Sequence, residues 1–148
     1  MQTGPLTLET EGSLIAEDNP ARPKEFAPCI LVVEDDNAIR ELTTELLIGF
    51  GYQVDGAADG AIGWEVLQAK RYDLIITDNT MPKLTGAEMV KNLQAAGMRL
   101  PVIMATALFP EEEVPPGLGG VTTLLKPFRA ADLLSTVRKV LSESGRSD

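Results

Sequence analysis

The chain has 148 residues, of which 44% are hydrophobic, and this size suits one domain with a tail. Its formal net charge of −9 disfavours nucleic acid as a direct partner, because affinity for nucleic acid depends on Lys and Arg neutralising phosphates. The absence of histidine and the single cysteine, Cys29, exclude Ser–His–Asp and Cys–His catalysis, an intrachain disulfide and a histidine phosphodonor. No signal-peptide pattern opens the chain and no apolar run approaches the roughly 20 residues of a membrane span, so we expect a cytoplasmic protein without membrane insertion.

The first part of the chain changes character near Pro28. Residues 1–27 mix Gly, Pro, Thr and Glu without periodicity, which predicts a flexible tail or linker. The apolar, β-branched run CILVV at 29–33 predicts a strand buried on both faces of a parallel sheet. A helix is predicted to open at Asn37, an N-cap residue, and its apolar positions at helical spacing are Ile39, Leu42, Leu46 and Phe50.

The middle of the chain repeats the alternation of strand and helix. A weaker strand is predicted at 52–57, followed by a helix that Asp59 caps and that runs through Lys70, with Ile62 and Val66 facing inward. The run DLIIT at 73–77 predicts a second strongly buried strand. The motif Thr85-Gly-Ala-Glu88 is a capping box, and it predicts a third helix whose apolar face contains Met89, Val90 and Leu93.

The last part of the chain contains two more strands, predicted at 102–106 and 121–125, and a final helix at about 130–143. The final helix has an apolar face of Leu133, Leu134, Val137, Val140 and Leu141. The segment 108–120 between the two strands contains Pro115, Pro116 and three glycines. Since proline removes a backbone donor and clashes with the preceding turn, any fourth helix in this segment is predicted to be short or irregular.

Strands alternating with helices predict an α/β domain, in which a parallel sheet has helices on each side. Functional side chains of such domains lie outside the carboxyl ends of the strands. Polar and charged side chains occupy four of the five predicted strand ends: Glu34, Asp35 and Asp36, then Asp78, Thr106 and Lys126. Converging carboxylates tolerate one another around a cation, and oxygen-only ligands suit Mg²⁺. One carboxylate can then act as a nucleophile, while a lysine and a hydroxyl hold phosphoryl oxygens.

Each of these residues also has an ordinary structural interpretation. Asp36 and Asn37 suit a helix cap, Asp78 suits a turn, and Lys126 suits a solvated surface. The functional interpretation depends on their joint placement at successive strand ends.

The sequence resembles the receiver domains of response regulators. Four blocks carry the resemblance between Pro28 and Leu141: ILVVEDDNAIR, DLIITDNTMPKLTG, PVIMATA and LLKPF. The resemblance implies a three-layer α/β/α, doubly wound domain of the flavodoxin-like kind, with a five-stranded parallel sheet in the order 2-1-3-4-5. It places the receiver domain at 28–144 and leaves a C-terminal tail at 145–148.

The resemblance also assigns roles to the strand-end residues. It implies that Asp78 is the phosphoacceptor and that Mg²⁺, with Mn²⁺ as a substitute, is bound by Glu34, Asp35, Asp78 and the backbone carbonyl of Thr80. Asp36 falls one place beyond the acidic pair and is left out of the site. The resemblance implies that Thr106 and Lys126 contact the phosphoryl group and that the peptide bond between Lys126 and Pro127 is cis.

A receiver domain is not an enzyme in the usual sense; it is a phosphoryl acceptor that assists its own phosphorylation and slow dephosphorylation. The implied partners are a histidine kinase or histidine phosphotransfer protein and an unknown downstream protein. Thr123 stands where the family often has an aromatic residue, which puts the usual coupling of that ring to the conserved hydroxyl in doubt. Leu108 offers no group to orient water, so a long-lived phosphoryl-aspartate is expected.

Because the departures fall on the surface formed by residues 106–128, where phosphorylation is expected to shift the conformation, a monomer or weak dimer is predicted. No output domain is expected after the last helix, so the chain is interpreted as a stand-alone receiver, either an independent shuttle or a piece of a hybrid sensor kinase.

Three other functions share part of this pattern. A haloacid-dehalogenase-type phosphohydrolase requires a second aspartate where this chain has Thr80. A nucleotide-binding module requires a glycine-rich loop after the first strand, and none is present there. A pseudo-receiver that is never phosphorylated would have no need to retain the acidic pair, Asp78, Thr106 and Lys126.

Overall fold

The computed structural model describes residues 27–79, 81, 84–106 and 120–143. Within these ranges the chain forms five strands and four helices. The strands are β1 Cys29–Val33, β2 Gln53–Ala57, β3 Leu74–Asp78, β4 Val102–Thr106 and β5 Val121–Leu125. The helices are α1 Asn37–Gly49, α2 Gly60–Ala69, α3 Gly86–Ala95 and α4 Ala130–Glu143.

The five strands form one parallel sheet in the order β2-β1-β3-β4-β5. This confirms the predicted fold class and strand order. The chain moves outward from β1 to β2 on one side and from β3 to β5 on the other, so the order reverses between β1 and β3. The carboxyl ends of these two strands therefore flank the crevice at which doubly wound sheets bind ligands.

Two hydrophobic clusters lie on opposite faces of the sheet because successive side chains of a strand point in opposite directions. Ile30 and Val32 of β1 belong to one cluster, which α1 and α4 cover. Leu31 and Val33 belong to the other, which α2 and α3 cover. The predicted apolar faces of α3 and α4 are buried as expected, and burial on both faces explains why the strands have continuous apolar sequences.

The apolar faces of α1 and α2 differ from the prediction. Ile39 and Leu42 are 43% and 68% exposed, whereas Leu47 is fully buried against the sheet. Ile62 is 40% exposed in α2, and Leu67 is buried in its place. Helical spacing defines a stripe of apolar side chains, but contact with the sheet selects which edge of that stripe is buried.

The N-terminal ends of three helices are capped by side chains. The Asp36 carboxylate accepts from the backbone N–H of Ile39, so Asp36 is the N-cap of α1, and Asn37, the other residue predicted for this role, is the first residue of the helix. Asp59 caps α2 as predicted, and Thr85 forms the predicted capping box with Glu88. These bonds satisfy backbone donors that have no partner within the helix.

Several predictions fall outside the described residues, namely those for the tail before Ala27, Thr80, the short or irregular helix after Thr106, Leu108 and the segment 145–148. The domain limits 28–144 also stay a prediction. Within the part of the chain that the structure describes, no helix has the length and apolar character required to cross a bilayer.

Candidate functional site

Three carboxylates meet at the carboxyl ends of β1 and β3. Val33 pairs with Thr77 in the sheet, so the residues that follow Val33 lie beside Asp78, the last residue of β3. Glu34, Asp35 and Asp78 each place a carboxylate oxygen within 4.8 Å of the other two. A set of oxygen donors at this spacing has the chemistry and the compactness of a Mg²⁺ site.

Glu34 is held in place by its backbone and by its side chain. Its N–H donates to the Ala57 carbonyl at 3.0 Å, and its Oε2 accepts from the Asp36 N–H at 3.1 Å. The residue is only 7% exposed. Burial raises the pKa of Glu34 above its ordinary value, and the nearby Asp78 charge raises it further, although the Asp36 N–H and Lys126 favour the ionised form. The described residues around Glu34 therefore balance its charge only in part.

Asp78 ends β3, and the loop that begins after it is fixed against α3. The Thr77 hydroxyl donates to the Asp78 carbonyl at 2.9 Å. The next residue, Asn79, accepts through its side chain from the Ala87 N–H at 2.9 Å and through its carbonyl from Gly86 at 3.2 Å. A Cβ at Gly86 would lie 2.9 Å from the Asp78 carbonyl oxygen, so only glycine permits this close approach.

Lys126 supplies a positive charge from the far side of the crevice. Its Nζ lies 3.3 Å from Asp78 Oδ2 and 4.0 Å from Glu34 Oε1. Its backbone N–H donates to the Thr106 carbonyl at 2.8 Å, which ties the residue after β5 to the end of β4. Thr106 is 1% exposed, and the Lys126–Pro127 peptide bond is cis as predicted. The lysine, Lys126, and the hydroxyl residue, Thr106, thus lie at the ends of the adjacent strands β5 and β4.

The structure brings together four of the predicted site residues: Glu34, Asp35, Asp78 and Lys126. Thr106 lies at the end of the neighbouring strand, and Thr80 is outside the described residues. Two residues near the site were not predicted from the sequence: Arg40, whose side chain donates to the Glu34 carbonyl, and Asn79, whose side chain accepts from the Ala87 N–H of α3. The signal for Asn79 was its position directly after Asp78. Arg40 lies six residues from Glu34, and the sequence gives no comparable signal for it.

Comparison with known proteins agrees with this geometry. Residues 30–138 match the response regulator receiver domain family. The chain belongs to this family. The match runs from β1 into α4 and covers both halves of the crevice, so it includes every predicted site residue.

Individual relatives are response regulators and receiver domains. The chain is 38% identical to the probable transcriptional regulatory protein SilR of Salmonella typhimurium over 114 residues, which are 76% of this chain and 50% of that protein. It is 36% identical to the response regulator MprA of Mycobacterium ulcerans over 121 residues, which are 80% of this chain and 52% of that protein. The chain thus spans about half the length of the curated relatives it matches.

Two solved structures resemble the fold closely. The chemotaxis protein CheY4 of Vibrio cholerae is 33% identical, with a TM-score of 0.72 over 78% of this chain and 99% of that one. The receiver domain of a signal transduction histidine kinase from Syntrophus aciditrophicus is 31% identical, with a TM-score of 0.74 over 82% of this chain and 96% of that one. Receiver domains of two-component systems therefore share both the sequence pattern and the architecture of this chain.

Proposed function

We propose that this receiver domain accepts a phosphoryl group on Asp78 from the phosphohistidine of a partner, in a reaction that depends on Mg²⁺. The partner is a histidine kinase or a histidine phosphotransfer protein. The proposal includes a cytoplasmic location and an unknown downstream protein that recognises the phosphorylated form.

One observation carries the proposal: Asp78 lies between two further carboxylates and a lysine. Its Oδ2 is 3.3 Å from Lys126 Nζ, and its carboxylate lies within 4.8 Å of those of Glu34 and Asp35. A structural ion pair requires one acid for one base. Among the described residues, the two additional acids leave negative charge that Lys126 does not balance, and this favours an exogenous divalent cation.

The residues present fit Mg²⁺, and Mn²⁺ is suited to the same oxygen donors. Glu34, Asp35 and Asp78 would hold the cation, with the Thr80 carbonyl as the proposed backbone ligand. When bound, Mg²⁺ neutralises charge that develops on the phosphoryl oxygens. The side chains of Thr106 and Lys126 are proposed to contact those oxygens from the other side.

The chemical step is a displacement at phosphorus. An Asp78 carboxylate oxygen attacks the phosphorus, and the P–N bond to the partner's imidazole breaks as the O–P bond forms. The electron pair of the P–N bond returns to the imidazole nitrogen, which takes up a proton. These 148 residues contain no histidine, so the proposed phosphodonor lies outside them. The chain's own contribution is to position Asp78 and to stabilise charge.

The test uses acetyl phosphate as the phosphodonor and intact-protein mass spectrometry as the readout. With Mg²⁺, the protein should gain the mass of one phosphoryl group, and peptide mapping should place it on Asp78. The gain should disappear in excess EDTA and in Asp78→Asn. Asp55→Asn is the matched control, because Asp55 is an acid on the same sheet outside the crevice, and this variant should be phosphorylated like the wild type.

The outcomes separate this proposal from its alternatives. No mass gain in folded wild-type protein would indicate a pseudo-receiver that acts only as an interaction domain. Continuous release of phosphate without a stable adduct would indicate a phosphohydrolase. A stable gain that persists in Asp78→Asn would place the acceptor elsewhere and contradict the proposal.

A further inference from the structure

Arg40 of α1 connects the helix to the turn that carries the acidic pair. Its Nη1 donates to the Glu34 backbone carbonyl at 2.7 Å, and its Nη2 donates to the Asn37 side chain. The two bonds span the turn between the end of β1 and the start of α1. Asp35, which is exposed, lies within the segment that they bracket.

A glycine on the edge strand fixes where the Arg40 side chain lies. A Cβ at Gly56 of β2 would lie 3.2 Å from Arg40 Cδ and 3.4 Å from its Cγ. The aliphatic part of Arg40 therefore packs directly on the backbone of β2, which aims the guanidinium at Glu34. The Ala57 carbonyl, one residue further along β2, accepts from the Glu34 N–H. Arg40 thus binds the backbone carbonyl of Glu34, while β2 binds its backbone N–H.

We propose that Arg40 is a positioning residue for the divalent cation site. By fixing the Glu34 carbonyl, it sets the direction of the turn and hence the orientation of the Glu34 and Asp35 carboxylates. Removing a group that orients metal ligands commonly weakens metal binding about 10- to 100-fold. The inference rests on the proposed Mg²⁺ site, but it concerns how this chain's own residues prepare that site.

The charge of Arg40 makes the inference testable, since its electrostatic and positioning effects on Mg²⁺ have opposite signs. A positive charge near the acidic pair repels a cation, so its removal alone would tighten Mg²⁺ binding. Loss of the hydrogen bonds to the turn would instead weaken binding. The planar fork of arginine, which lysine lacks, provides the two directed bonds.

The experiment measures the Mg²⁺ dissociation constant by isothermal titration calorimetry on the unphosphorylated, full chain. Three variants are compared: Arg40→Lys, which keeps the charge, Arg40→Met, which removes it, and Gly56→Ala, which crowds the side chain. We expect Mg²⁺ binding to be weaker by about tenfold in both Arg40 variants and by a smaller factor in Gly56→Ala. Thermal unfolding without Mg²⁺ is measured in parallel to separate affinity from stability.

The controls distinguish this inference from the proposed function. Asp35→Asn should lose Mg²⁺ binding, and Asp55→Asn should bind like the wild type.

Absence of binding in wild-type protein would contradict the Mg²⁺ site itself. If the wild type binds and both Arg40→Lys and Gly56→Ala bind equally well, the site stands and the positioning role of Arg40 is wrong. Tighter binding in Arg40→Met with no change in Arg40→Lys would likewise overturn it, since only charge would then matter. If Arg40→Met does not fold, Arg40→Lys and Gly56→Ala still decide the question.

Discussion

Asp55 of β2 and the three acids of the crevice differ in how their negative charge is balanced. Asp55 of β2 accepts from Lys70 Nζ and from the Tyr72 hydroxyl, each at 2.7 Å. These two hydrogen bonds lower the pKa of Asp55 below its ordinary value. In the crevice the balance is reversed, because burial raises the pKa of Glu34 and Asp78 raises it further.

The difference separates a structural acid from a candidate ligand. Asp55 has its own cation and its own hydroxyl donor, and it stabilises the edge of the sheet without needing anything from solution. In the part of the chain that the structure describes, the lysine near the three acids of the crevice is Lys126, which is 3.3 Å from Asp78 and 4.0 Å from Glu34. Glu34 is buried, and a buried negative charge that its neighbours neutralise only in part costs free energy, which a bound cation would recover.

The largest expected contrast concerns stabilisation by Mg²⁺. A ligand at about 100 times its dissociation constant stabilises the folded state by about 2.7 kcal/mol, provided that it does not bind the unfolded chain. We expect this gain in the wild type and in Asp55→Asn, and we expect Asp35→Asn to lose it. Urea unfolding with saturating Mg²⁺ and with EDTA measures it. Equal stabilisation of all three proteins would mean that the cation binds outside the crevice.

A smaller contrast concerns the two lysines. Without metal, Lys126→Met should lower the free energy of unfolding by about 1 kcal/mol, because the acids near it lose their partial neutralisation. The same variant should bind Mg²⁺ more tightly, since a competing cation is gone. Lys70→Met should leave Mg²⁺ affinity unchanged, as Lys70 pairs with Asp55. Calorimetric titration of both variants checks this; weaker Mg²⁺ binding in Lys126→Met would contradict the assumed competition.

The smallest expected effect is a pair of opposite pH dependences. The lowered pKa of Asp55 gives stability that is present above the ordinary value of 3.8 and is lost as the pH falls through the folded-state pKa. Its size should be below about 1 kcal/mol, since the side chain is 41% exposed and solvent screens the pair. The raised pKa of Glu34 acts the other way, giving stability that is present below 4.5 and is lost as the pH rises through the folded-state pKa.

The measurement compares unfolding free energies in EDTA across the acid range. The difference between wild type and Asp55→Asn should grow with rising pH, in favour of the wild type. As the pH rises from below 4.5 through the folded-state pKa of Glu34, the free energy of unfolding of the wild type should fall relative to that of Glu34→Gln. Slopes of the same sign for both variants would show that the two acids lie in similar electrostatic surroundings.

The strands and the strand-end acids could be predicted from the sequence because both depend on local patterns. Continuous apolar runs identify buried parallel strands, and the residues that follow them must lie at one edge of the sheet. The buried edge of α1 could not be predicted, since Leu42 and Leu47 are both apolar and only contact with the sheet buries Leu47. Arg40 was missed for a similar reason: its contact with Gly56 joins a helix to a different strand.

The most direct test of the central claim is to locate the cation itself. Crystals of the protein grown with Mn²⁺, which suits the same ligands, would give an anomalous difference peak at the bound ion. The account predicts one strong peak among the carboxylate oxygens of Glu34, Asp35 and Asp78, and its loss in Asp35→Asn. An empty crevice in crystals that hold Mn²⁺ elsewhere, or a peak at Asp55 instead, would contradict it.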